Sequence, residues 1–274
     1  MNQNIIIKKL EERDLKFLRE ITPPDWGDIT SVYRDNFSQE YFYPIKMIFE
    51  DQIIGVGELI LNGKIGWLGN IIVRPEFRNK GLGKLITEKL IEMAWERNCE
   101  SIYLLATSLG KYVYQKLGFK ENGLYLFYQS SLENVDFEVS KNIHPFHENY
   151  KNEIFELDHL AMGEDRSKVL SLHLASALVY KESAQDKISG FYIPTLGNGL
   201  TICNNTSAGF DFIKKREQLG FDKIVLPEEC VETIDFIEKR GYSICREPAT
   251  FMYLGKLKTW NPKMVYCRIG GYLG

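Results

Sequence analysis

The stretch Arg78-Asn79-Lys80-Gly81-Leu82-Gly83-Lys84 holds residue types at a spacing that could bind a diphosphate. Such a group needs several donors converging on it with no side chains in the way. Glycines at 81 and 83 let the backbone come close, and a following helix adds free N–H groups and the positive end of its dipole. Arg78, Lys80 and Lys84 add cationic charge around the same point. Read alone, these residues also make an ordinary tight strand-to-helix turn that contains two glycines.

The elements that must position this turn are legible in the flanking pattern. An apolar strand over Ile65 to Val73 precedes it, and a helix from Gly83 to about Arg97 follows, with Leu82, Leu85, Ile86, Leu90, Met93 and Ala94 on one stripe. Upstream, the spacing predicts a strand at Asn4 to Leu10, helices at Glu11 to Arg19 and Asp28 to Phe37, and strands at Tyr43 to Phe49 and Ile53 to Leu61. Asp51-Gln52 and Asn62-Gly63 read as the hairpin turns between the last three strands. Downstream come a strand at Ser101 to Ala106, a helix at Gly110 to Leu117 and a strand at Leu124 to Tyr128. Residues 131 to 151 are polar and read as an irregular connection.

The second half echoes the first. Asp51-Gln52-Ile53-Ile54-Gly55 recurs as Asp186-Lys187-Ile188-Ser189-Gly190, and Tyr114-Gln115-Lys116-Leu117-Gly118-Phe119 as Ile237-Glu238-Lys239-Arg240-Gly241-Tyr242. Two landmarks in the same order indicate a duplicated unit. The second copy is shorter between them, and the missing stretch covers the glycine turn and part of its helix.

Composition narrows the class. With 44% hydrophobic and 26% charged residues the chain has the makeup of a soluble globular protein, and its formal net charge of -3 argues against a nucleic-acid partner. No apolar run has membrane-spanning or signal-peptide length, so no membrane partner is expected and a cytoplasmic location is. Five cysteines (Cys99, Cys203, Cys230, Cys245 and Cys267), odd in number and widely spaced, fit neither a disulfide framework nor a metal site and read as reduced thiols. His144 and His147 lack acidic or cysteine partners at ligand spacing, so no metal is expected.

The turn Arg78-x-x-Gly81-x-Gly83, between a strand and a helix, resembles the cofactor motif of the GNAT superfamily of N-acetyltransferases. Tyr114-Gln115-Lys116-Leu117-Gly118-Phe119 resembles that family's Tyr-x-x-x-Gly-Phe segment, and the order of elements is the family's order. The resemblance implies an α/β (α+β) fold of two tandem GNAT-like domains, each a central mixed, mostly antiparallel sheet flanked by helices. Residues 1–130 would be the catalytic acetyl-CoA-binding domain, 131–150 a connector, and 151–274 a degenerate GNAT-like domain with an acceptor-site or structural role.

The same resemblance implies roles. Backbone amides of Lys80, Gly81, Leu82, Gly83 and Lys84, with Arg78 and Asn79 beside them, would hold the CoA pyrophosphate. The edge at Ile71, Ile72 and Val73 would pair with the pantetheine arm, and an N–H near Ile72 would face the oxygen of the tetrahedral intermediate. Tyr114 would protonate the departing thiolate. Thr107 stands where many relatives have an asparagine. Relatives often place a glutamate on the fourth strand as base. Here that stretch reads Trp67-Leu68-Gly69-Asn70, so Glu58 on the third strand is the nearest candidate, with Asp25 and Asp28 as others. Trp26, Tyr33, Tyr41, Phe42 and Tyr43 would either line an acceptor pocket or pack in the core.

In the second half Ile237 replaces Tyr114 and the glycine turn is absent, with Asn204-Asn205-Thr206-Ser207-Ala208-Gly209 nearest to it. Leu157 to Ser167 and the ending with Phe251-Met252-Tyr253 resemble the C-terminal domain of a tandem-GNAT subfamily common in bacteria. There Asp165-Arg166 reads either as an anion site or as a helix cap and brace. The implied activity is transfer of an acetyl group from acetyl-CoA, as cosubstrate, to a primary amine of a small molecule or peptide. A non-catalytic acyl-CoA sensor is the alternative. Tyr114 favours the enzyme, while the lack of a fourth-strand glutamate leaves the sensor open.

Overall fold

The third strand of the chain, Gln-Ile-Ile-Gly-Val-Gly-Glu-Leu-Ile-Leu-Asn, is buried along nearly its whole length, which a strand achieves only with cover on both faces. The computed structural model describes residues 5–23, 26, 28–131, 140–182 and 187–271. They gather into two units, Met1–Lys120 with Met252–Lys256, and Glu121–Phe251 with Leu257–Tyr272.

In the first unit the order is β1 (Ile6–Lys9), α1 (Leu15–Ile21), α2 (Thr30–Asn36), β2 (Phe42–Phe49), β3 (Gln52–Asn62), β4 (Ile65–Val73), α3 (Leu82–Glu96), β5 (Ser101–Ala106) and α4 (Ser108–Lys116). The strands lie side by side in the order β1-β2-β3-β4-β5. β1 to β4 are antiparallel, whereas β4 and β5 are parallel, joined by the crossover through α3. Both hairpin turns sit one residue earlier or later than the sequence pattern suggests. Glu50 and Asp51 turn β2 into β3, both at positive φ, and Gly63 and Lys64 turn β3 into β4. The pairs Phe49↔Gln52 and Asn62↔Ile65 extend the ladders to the turns themselves.

α3 buries Leu82, Ile86, Leu90 and Ala94 in the same core cluster as Ile54, Leu59, Leu68, Ile102 and Tyr114. It can lie close to β3 because that strand carries glycine where the helix touches it. A Cβ at Gly57 would stand 2.8 Å from Ile86 Cγ2 and 3.0 Å from Leu90 Cδ1, and one at Gly55 would stand 2.8 Å from Ile86 Cδ1. The helix therefore reads its position from two missing side chains.

The second unit holds β6 (Lys120–Ser130, beginning at the boundary), β7 (Ile143–Pro145), α5 (Lys151–Met162), α6 (Ser167–Ser171), β8 (Leu178–Tyr180), β9 (Gly190–Ile193), β10 (Leu200–Cys203), α7 (Thr206–Gln218), β11 (Lys223–Pro227), α8 (Val231–Glu238), β12 (Tyr242–Ile244), β13 (Ala249–Gly255, whose last residues count with the first unit) and β14 (Val265–Cys267). Its five-stranded sheet runs β14-β10-β9-β8-β7, and β6 pairs separately with β11 and β12. The stretch read as an irregular connection contains β7, a three-residue edge strand ending at Pro145 and too short to show a period. Asp186, from the repeated landmark, lies outside the described residues. The cysteines are all free thiols, four buried and Cys245 exposed. Among the described residues no helix is long and apolar enough to cross a membrane.

Gly57→Ala forces Ile86 and Leu90 to move within a packed core, so it should lower stability by about 1–3 kcal/mol. A thermal melt read by circular dichroism checks this, with a midpoint several degrees below wild type expected.

Candidate active site

The turn predicted to carry a diphosphate is exposed and built for close approach. Pro75–Phe77 form a single 3-10 turn, Asn79 and Gly81 take positive φ (61° and 79°), and Gly81 stands at the N-cap of α3. No side chain caps this helix end. The first bond of the α3 ladder is from Leu85 N–H to Gly81 C=O at 3.1 Å, so the amides of Leu82, Gly83 and Lys84 precede it and face outward. A Cβ added at Gly81 or Gly83 would meet no atom within 4 Å. The cations around the turn are held locally. Arg78 Nε donates to Val73 O at 3.0 Å, Lys80 Nζ donates to Glu76 O at 3.1 Å, and Lys84 pairs with Glu88 at 3.4 Å on the solvent side.

β4 carries the second feature. It pairs with β5 at Ile65↔Ser101, Gly66↔Ile102 and Trp67↔Tyr103, and then no further register is formed although β5 continues to Ala106. The last pair is marked by an edge-on contact of the Trp67 and Tyr103 rings, 5.5 Å between centroids. Toward β3 the register also shifts. Val56 faces Ile72 and Glu58 faces Gly69, which places one extra residue in β4. Asn70, at φ 47°, is the residue at this bulge. Ile71, Ile72 and Val73 thus lie beyond the bulge on a strand whose β5-side ladder has ended.

Glu58 is fully buried, across from Gly69. Gly57 faces α3, so alternation turns Glu58 to the other face of the sheet, where α2 presents Tyr33. Asn70 Nδ2 donates to Glu58 Oε1 at 2.8 Å. The Tyr33 hydroxyl lies close enough to act on the same carboxyl, yet neither it nor Glu58 Oε2 has a partner at hydrogen-bonding geometry. Burial pushes the Glu58 carboxyl up to about 8, against the lowering effect of Tyr33 and Asn70. Asp28 is different. It is exposed and accepts from the Thr30 hydroxyl and amide ahead of α2, and these bonds hold it below the usual carboxylate range. Asp25 lies outside the described residues.

Tyr114 is buried on α4, with its ring edge-on to Phe119 and packed over Gly110, where a Cβ would come within 2.8 Å of it. Burial pushes its phenol up to about 12. Thr107 is the N-cap of α4 and accepts from Gly110 N–H at 3.3 Å. Of the aromatic residues read as pocket or core, Trp26 and Tyr43 are half-buried and the other three are core. Tyr33, Tyr41 and Phe42 are buried, and Tyr33 and Phe42 meet edge-on at 5.5 Å.

The corresponding place in the second unit is filled. β10 leads into α7 with Asn204 and Asn205 between them, and the Asn205 side chain caps the helix by accepting from Ala208 N–H at 3.2 Å. β14 pairs with β10 at Thr201↔Cys267 and Ile202↔Val265. Tyr266 of β14 lies against the first turn of α7, where a Cβ at Gly209 would fall 2.1 Å from its ring. Arg166 forms a buried two-toothed pair with Asp158 and Asp165 accepts from Ser167, so this pair caps and braces helices. His159 bonds Glu164 O and His173 bonds Thr195. Among the described residues no group of three His, Cys, Asp or Glu side chains could hold a metal.

Asn70 was not singled out from the sequence as part of a site, and Tyr33 was read only as an acceptor-pocket or core aromatic, not as a neighbour of Glu58. The available signal was an asparagine following a glycine inside an apolar strand, a pattern that marks a bulge.

Residues 11–119 match the acetyltransferase (GNAT) family. The chain carries a GNAT acetyltransferase domain there, and its fold is consistent with two tandem GNAT-like units. Over 280 residues, covering 98% of each chain, it is 24% identical to the uncharacterized N-acetyltransferase YitH of Bacillus subtilis. It is 29% identical over 126 residues to the [ribosomal protein bS18]-alanine N-acetyltransferase of Haemophilus influenzae, covering 42% of this chain and 82% of that one. Its fold follows the crystal structure of a proposed acetyltransferase from Pyrococcus horikoshii with a TM-score of 0.83 at 19% identity, over 98% of this chain and 96% of the other.

A carboxyl whose value rises from 4.5 to about 8 on folding favours the native state least when it is ionised. Stability is therefore lost as pH rises from 4.5 through 8, by on the order of a few kcal/mol in all. Glu58→Gln removes this dependence. Its melting temperature relative to wild type should rise between pH 5 and pH 9, and a constant difference would contradict the burial of an ionisable group there.

Proposed function

We propose that the first unit transfers the acetyl group of acetyl-CoA to a primary amine of a small molecule or peptide. The observation that carries this reading is the combination of an open glycine turn at the start of α3 with a neighbouring strand whose ladder to β5 stops at Trp67. The amides from Lys80 to Lys84 would hold the pyrophosphate, with Arg78 and Asn79 beside them and dipole and lysine charge adding to the attraction. The pantetheine arm would then lie along Ile71, Ile72 and Val73, with Thr107 near its far side at the start of α4.

In the reaction the amine nitrogen attacks the thioester carbon, and the carbonyl electrons move to oxygen, toward an N–H near Ile72. The nitrogen gives its proton to Glu58, directly or through water. A carboxylate near 8 is better matched to an amine near ~10 than one near 4.5 would be. The C–S bond then breaks. Tyr114 near 12 is a weaker acid than a free thiol near ~8.5, so it stabilises the departing thiolate through the hydrogen bond it gives to the sulfur and keeps its own proton, and the CoA thiolate is released to take up a proton from solvent. The second unit neither binds CoA nor catalyses: β14 occupies the strand edge that would take the pantetheine, and the turn is missing. One chain would therefore bind one acetyl-CoA.

The acceptor class draws support from the relative that acetylates an alanine of a ribosomal protein. Two expected outcomes test the proposal. Acetyl-CoA should raise the melting temperature of the wild-type chain, and Gly83→Glu should abolish this shift while leaving the ligand-free melt unchanged, because a Cβ there points into open space. Unaltered CoA affinity in that variant would refute the pyrophosphate placement. Tyr114→Phe should lower kcat about 100-fold in a thiol-release assay across an amine library, with acetyl-CoA binding retained. Binding with no thiol release from any amine, unchanged by this substitution, would favour a sensor.

A further inference from the structure

We propose that Asn70 is a positioning residue that ties the Glu58 carboxyl of β3 to the bulge of β4, so that one residue sets both the group that takes the proton and the backbone beside the reacting carbonyl. The inference rests on the reading of Glu58 as base. Asn70 occupies the left-handed region at φ 47°, which asparagine tolerates better than most residues, and it is where β4 gains its extra residue. From there its side-chain amide reaches across to Glu58 Oε1 at 2.8 Å.

An amide N–H₂ donates and cannot accept, so it holds Oε1 in either protonation state without competing for the proton. Oε2, buried and without a partner of its own, is left as the atom that takes the proton up, next to the equally unsatisfied Tyr33 hydroxyl. Few other groups bear on this carboxyl. β2 presents Pro44 opposite it and, two residues along on the same face, Lys46, which is bonded to the buried Asp14 ahead of α1, and β4 presents Gly69 and Asn70. On α2, Arg34 and Asp35 are exposed while Tyr33 faces inward, and on α1, Lys16, Arg19 and Glu20 are exposed. α3 packs on the other face of β3, at Gly55 and Gly57.

The test is made on the full chain labelled with carboxyl-¹³C glutamate and titrated by NMR, without cofactor or acceptor. One resonance should titrate near pH 8 and vanish in Glu58→Gln. In Asn70→Gly, which keeps the positive φ accessible, its midpoint should rise by about half a unit or more, since a bond to the charged form is lost. Tyr33→Phe, which leaves the bulge untouched, should move it the same way. With acetyl-CoA and whichever amine is turned over, the acid limb of kcat/KM should move by the same amount in each variant. An unchanged midpoint in Asn70→Gly, with the melt intact, would overturn the positioning role, as would a rise in Tyr33→Phe alone. Should Asn70→Gly not fold, Asn70→Ser supplies the second measurement at that position, with the same expectation. A shifted midpoint with an unmoved rate profile would instead overturn the reading of Glu58 as base, leaving the tie itself in place.

Discussion

The pairing of β4 with β5 ends at Trp67, and the first unit is organised around that ending. Backbone N–H and C=O groups in the middle of a fold are expensive to leave unpaired, so a strand that loses its neighbour halfway must find another partner or face solvent. The extra residue at Asn70 turns β4 just after the Trp67–Tyr103 contact, and the strand then runs to the turn that opens α3. In the second unit the matching strand, β10, meets the same demand with β14. One copy satisfies its edge from within the chain, and the other leaves it for an extended ligand to pair with, as proposed above.

The glycines divide into two kinds of use. Gly55 and Gly57 are absent side chains in the core, and they let α3 settle against β3. Gly81 and Gly83 are absent side chains over open space, where the positive φ of Gly81 calls for glycine and no contact in the protein requires it at Gly83. The two uses depend on each other, because the helix seated by the first pair is what aims the amides beside the second pair.

Burial sets the electrostatics. Glu58 sits in a fully buried position with one oxygen bonded and one free, so its ionisation is displaced toward the range where a general base works best. Tyr114 is displaced by burial in the same direction, which keeps it protonated but makes it a reluctant acid. Asp28, exposed and accepting two bonds from Thr30, is displaced downward. Three candidate groups of the sequence thus separate by environment alone.

Much of this was legible in the sequence. The bounds of β4 and β5, the stripe on α3, the glycine turn and the loss of that turn in the second copy all follow from local patterns of residue type, because period and glycine placement are local properties. The hairpin turns came one residue off, since alternation does not say where the ladder stops. β7, β12 and β14 are three residues each, too short to carry a period. What only the tertiary structure decided is who meets whom: that β4 leaves β5 after three pairs, that Asn70 of one strand reaches Glu58 of the next, that Tyr33 arrives from a helix, and that β14 fills the second copy's open edge. Each joins residues far apart in the chain, and such contacts are chosen by packing and by the need to pair buried polar groups, which no short stretch of sequence displays.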